Sequence, residues 1–79
     1  MTDLQIRFES SKRDIQDAWD NPIRENARIT RDWIYTVDPE TMSFIKMLWD
    51  YLSDDHSIYS TFVAVMKSKS IEELLTKHS

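Results

Sequence analysis

The chain has no cysteine, no glycine and only two prolines. Its longest apolar run is five residues, 62–66. Without cysteine there can be no disulfide, thiolate metal site, iron–sulfur cluster or cysteine nucleophile. Average glycine usage of about 7% would supply about five or six glycines in a chain of this length. Their absence removes glycine-rich phosphate loops, dinucleotide fingerprints and the Gly-x-Ser-x-Gly nucleophile elbow. Primed hairpin turns, which need residues that tolerate positive φ, are disfavoured as well. The chain must turn on Asn, Asp, Ser and Pro, which favours helices joined by short capped loops. No stretch approaches the ~18 apolar residues of a membrane span. The first eleven residues carry Asp3, Arg7 and Glu9 and do not resemble a signal peptide, so a cytoplasmic protein is expected.

What is present points to a folded chain. Its 79 residues are 41% hydrophobic and carry three Trp, three Tyr and three Phe, enough aromatic bulk to matter in a small core. The length suits a single domain, residues 1–79. Charges of both signs are spread along it and sum to −4.

Periodicity predicts the elements. At about 100° per residue, Leu4, Phe8, Ile15, Ala18 and Trp19 form one stripe, so an amphipathic helix is expected over 3–20. Ser11 lies on that stripe, where a small side chain marks a close helix approach. Ile6 falls on the opposite side. Asn21-Pro22 breaks the pattern and opens a second helix running to about Thr36, with Ile23, Ala27, Thr30, Ile34 and Val37 inward and Trp33 on the flank. Asp38-Pro39 is the next cap and start. From there Met42, Phe44, Ile45, Leu48, Trp49, Tyr51 and Leu52 cover about half the circumference of a helix over 39–53. A helix that broad needs two neighbours, or one neighbour and a partner. Residues 53–57 read as a loop, in which Asp54-Asp55-His56 stop one helix and cap the next. Ile58, Phe62, Val65 and Met66 share a face of a short helix. Ser70 with Glu73 is a capping box opening a last helix with Ile71, Leu74 and Leu75 inward. The expected fold is all-α, a small compact bundle of four to five short helices.

Chemistry is harder to find. Asp54-Asp55-His56 is the one cluster with acid–base or metal-ligating side chains, and the only other histidine is at the chain end. A catalytic or metal site needs further groups converging in space. No catalytic residue, metal or cofactor is therefore expected, and the chain reads as a non-enzyme.

Two surfaces remain. Residues 38–55 hold five acids and one lysine, and this acidic stretch contains the broadest apolar helix. An apolar ridge of Met47, Trp49 and Tyr51, rimmed by Asp50 and Asp54, would dock into a basic-rimmed groove of a protein partner. The competing reading makes the same helix the centre of the bundle. The alternative surface is Arg24, Arg28, Arg31 and Tyr35, which share one face of the second helix and could grip phosphate or nucleic acid. Glu25 and Asp32 lie at pairing distance, and residues 1–37 hold six basic and seven acidic groups, so the basic excess usual in nucleic-acid binders is missing. The reading favoured is a protein–protein interaction module (an adaptor, regulatory subunit or inhibitor) whose partner is another protein or a second copy in a homodimer. Nucleic acid is disfavoured, and no polar face is basic enough for membrane binding.

Overall fold

The computed structural model describes residues 2–20, 30–52 and 56–78 of the chain. Among the described residues there are four α-helices, one 3-10 helix and no strand: α1 Asp3–Asp20, the 3-10 helix Asp32–Thr36, α2 Pro39–Tyr51, α3 Ile58–Lys67 and α4 Ile71–His78. This is the small all-α bundle that the absence of glycine and the 3.6-residue periodicity imply. No helix among them is long and apolar enough to cross a membrane.

Helix starts follow from short polar side chains that accept orphan backbone N–H groups. The Thr2 hydroxyl accepts the N–H of Gln5 at 3.1 Å. The Ser57 hydroxyl accepts that of Ser60 at 3.1 Å, so Ser57 is the N-cap of α3, and Asp54 and Asp55 of the expected capping run lie outside the described residues. Ser70 accepts from the N–H of Glu73 at 3.1 Å, as the capping box requires. The return bond reaches one residue further back than in the usual box, from the N–H of Lys69 to Glu73 Oε2. Asp38 holds the extended N-cap conformation ahead of Pro39, but its carboxylate makes no capping bond.

The core is assembled around α1. Phe8, Ser11, Ile15 and Ala18 of its stripe are buried, and Ile6 is 51% exposed on the far side. Thr41, Phe44, Ile45 and Leu48 bury one face of α2, which packs against both α1 and α3. Phe62, Val65, Ile71 and Leu74 complete the interior from the last two helices.

The expected second helix does not run through to Thr36. Thr30 is helical, but Arg31 takes a left-handed conformation (φ 67°) and the chain tightens into the 3-10 helix. The reason is packing. The tighter winding directs the adjacent side chains Trp33 and Ile34, then Val37, into the core. Trp33, expected on a flank, is fully buried and makes edge-on contacts with Trp19, Tyr59 and Phe62, at centroid distances of 5.3, 6.1 and 5.8 Å. Each such aromatic pair is worth about 0.5–1.5 kcal/mol beyond the area buried. The left-handed backbone of a non-glycine residue costs roughly 1–2 kcal/mol, so a central tryptophan with three aromatic partners outweighs it.

Polar residues of α1 hold the ends of the other helices. Arg7 and Asp14, seven apart, lie on one flank of the apolar stripe, and Gln5 and Lys12, also seven apart, lie on the other. The Asp14 carboxylate accepts the N–H of Asp38 at 2.9 Å, and the Arg7 guanidinium lies 5.0 Å from the ring centroid of Phe44. These two contacts set α1 and α2 antiparallel. On the other flank, Lys12 Nζ donates to the carbonyl of Ser68 at the end of α3, and Gln5 Oε1 accepts the N–H of Ile71 at the start of α4. One helix thus secures the ends of three.

Candidate functional site

The C-terminal half of α2 carries four of the five residues proposed to contact a partner. Tyr51 is 73% exposed, Asp50 is exposed, Trp49 is 41% exposed and Met47 is half-buried against the core. Asp54 lies outside the described residues. The four do not form one ridge. Met47 and Tyr51 are four residues apart and fall within about 40° of each other around the helix, whereas Trp49 is roughly 160° from both. Asp50 points away from the buried face and separates them.

Trp49 is also committed within the molecule. Its indole Nε1–H donates to the carbonyl of His56 at 2.7 Å, bridging the end of α2 to the start of α3. Sequence periodicity placed Trp49 beside the apolar face but held no sign of this bond, because the acceptor is a backbone carbonyl beyond the helix end. Tyr51 is the more exposed of the two aromatics and shares its side of the helix with Met47, while the Trp49 ring remains part-exposed on another side.

The arginine face is represented by Arg31 and Tyr35, since Arg24 and Arg28 lie outside the described residues. Tyr35 is 69% exposed. Arg31 and Tyr35 do not continue one helical face, because the left-handed turn at Arg31 interrupts the register between them. The Arg31 guanidinium instead lies over the ring of Tyr59, 4.5 Å from its centroid. That cation–π contact is worth about 0.5–1 kcal/mol at an exposed position.

A shallow groove runs between α1 and the start of α2, lined by Ile6, Arg7, Ser10, Asp14, Glu40 and Ser43 among others. Its charges are mixed, and Asp14 already accepts from the α2 backbone. No group of three or more metal-ligating side chains occurs among the described residues. His56 is half-buried, and it serves through its backbone carbonyl as the acceptor for Trp49.

Comparison with protein-family models, with curated proteins and with solved structures finds no match to this chain.

Proposed function

We propose that this chain is a non-enzymatic protein-binding module, an adaptor, regulatory subunit or inhibitor of a larger protein, that docks through the C-terminal half of α2. The observation that carries the proposal is Tyr51, which stands 73% exposed on a chain with only nine aromatic residues to fill its core. Tyrosine offers a large contact area with few rotatable bonds and a hydroxyl for the partner's rim, which is why it is enriched at binding hot spots. Met47 gives the ring an apolar base, and Asp50 gives the edge a negative charge. The complementary surface is an apolar groove with basic residues at its rim, on another protein or on a second copy of this chain. A cytoplasmic setting belongs to the same proposal, since the chain lacks the cysteines that staple small secreted domains.

The test is a tagged pull-down from native lysate at low and high salt, comparing the parent chain with Tyr51→Ala. The expected result is one stoichiometric protein retained at high salt by the parent and lost with Tyr51→Ala, the variant keeping its helical circular dichroism. Equal capture by both chains would overturn the assignment of the surface. Nucleic acid captured only at low salt would transfer the function to the arginine residues.

A further inference from the structure

The outer side of α3 is the apolar, basic counterpart of the acidic Tyr51 surface. Among the described helices α3 alone has no acidic side chain. A cleft of about 270 Å³ runs along it, lined by Trp19, Trp33, Tyr59, Val63, Met66 and Lys67. Trp19, Tyr59, Val63 and Met66 are half-buried, which leaves apolar surface open to solvent, and Lys67 is exposed at the helix end. A more open hollow continues from Tyr59, Val63 and Lys67 to Arg31, whose guanidinium lies 4.5 Å from the Tyr59 ring centroid. Two positive charges thus flank the apolar walls of a protein whose net charge is −4, and no described carboxylate lines either depression.

The matching features are on α2. Tyr51 is 73% exposed, so it fills no cleft of its own chain, and Asp50 beside it is exposed as well. Neither Asp50 nor Lys67 has an ion-pair partner among the described residues. The Trp49 bond to the His56 carbonyl holds the end of α2 at the start of α3, whereas Lys67 ends α3, about 15 Å further along its axis. That distance keeps Asp50 and Lys67 of one chain apart.

We propose that the Tyr51 surface of one copy docks into the α3 cleft of a second copy. The inference rests on the protein-binding reading above and names its partner. What favours a second copy over an unrelated protein is that this chain itself carries the basic-rimmed apolar groove that the Tyr51 surface requires. The Tyr51 ring enters against Trp19, Val63 and Met66, and aromatic rings and methionine are favourable neighbours for it. The cleft has room for about nine heavy atoms at ~30 Å³ each, so a tyrosine side chain fits. Asp50, adjacent in sequence, then comes to the rim beside Lys67 and Arg31. Charge complementarity of this kind fixes register and rejects wrong partners more than it adds affinity. The two surfaces are different patches, so the contact is heterologous and each copy offers one of each.

Sedimentation equilibrium of the whole chain, up to about 1 mM, is the test. The parent is expected to rise above monomer mass with concentration, and at about 1 mM even a millimolar contact holds roughly half of the chains in complexes. Tyr51→Ala and Lys67→Glu, both at exposed positions, should each weaken the association at least about tenfold, with circular dichroism checking that the helices remain. The most discriminating arm mixes these two variants. One retains the cleft and the other retains Tyr51, so together they should form a 1:1 complex that does not grow further. A parent that stays monomeric to about 1 mM would overturn the proposal. So would association unchanged by Lys67→Glu, or a mixture that associates no better than its two components. The protein-binding reading is judged separately by the pull-down. A foreign protein captured through Tyr51 by a chain that stays monomeric would leave that reading standing and end this one.

Discussion

The side-chain carbonyl of Gln5 accepts the backbone N–H of Ile71 at 3.0 Å, across 66 residues of sequence. The bond satisfies one of the orphan donors at the start of α4 with a residue from the first turn of α1. It works alongside Asp14, which accepts the N–H of Asp38 at 2.9 Å on the opposite flank of the same helix. The polar residues of α1 are thus tertiary fasteners as well as solvated surface.

Gln5→Ala and Asp14→Ala should each destabilise the fold by about 0.5–2 kcal/mol, the usual cost of losing a helix-capping acceptor. For a domain of this size that is a fall in melting temperature of roughly 2–16 °C. Asp14→Asn keeps an acceptor oxygen and should recover most of the loss. Thermal melts followed by circular dichroism measure all three. Melts unchanged by Gln5→Ala would mean that solvent satisfies the Ile71 N–H equally well.

Arg31 separates backbone strain from side-chain contact. Arg31→Gly removes the left-handed penalty of roughly 1–2 kcal/mol and forfeits the Tyr59 contact, worth about 0.5–1 kcal/mol. It should leave stability equal or slightly raised. Arg31→Ala keeps the strained φ and loses the contact, so it should destabilise. Chemical denaturation of the two variants tests the ordering, and Ala more stable than Gly would contradict it.

The three tryptophans should respond very differently to truncation. Trp33→Ala removes the centre of the aromatic cluster and should cost about 3–5 kcal/mol, enough to unfold a small bundle. Trp49→Phe loses the bond to the His56 carbonyl and should cost about 1 kcal/mol. Trp19, half-buried against the Trp33 ring, should fall between them when changed to Ala. Urea midpoints of the three variants provide the comparison.

Glu73 predicts a pH dependence. Its carboxylate is held below its ordinary value of 4.5, first by the hydrogen bond from Lys77 and then by the backbone N–H of Lys69. Because the folded value is depressed, the stabilisation is fully present above pH 4.5 and is lost as pH falls through the folded value. Glu73→Gln should therefore be less stable than the parent at neutral pH and equal to it in strong acid. Melts from pH 7 downward measure the gap, and a gap that widens in acid would reverse the sign.

Much of the architecture was legible in the residues. The bounds of α1, the start of α2 at Pro39 and the Ser70 cap of α4 all follow from periodicity and local capping chemistry, which depend on neighbours a few residues apart. The same spacing puts Ile6 off the apolar stripe, and its side chain is exposed. The candidate surface was legible only in part. Composition marked the apolar, acidic stretch at 38–55. It did not show that Trp49 turns its N–H to a carbonyl beyond the helix end, or that Tyr51 is the more exposed of the two aromatics there. The Trp49 bond depends on where the chain goes after Leu52.

The sequence by itself determined an all-helical chain, because it has no glycine for tight turns and its apolar residues recur at helical spacing. The tertiary structure alone decided which aromatic sits at the centre. Trp33 is buried because a left-handed turn at Arg31 and a 3-10 helix bring it against Trp19, Tyr59 and Phe62. No local propensity favours that turn at an arginine. It exists because the packing of four rings from three parts of the chain outweighs the strain of one residue.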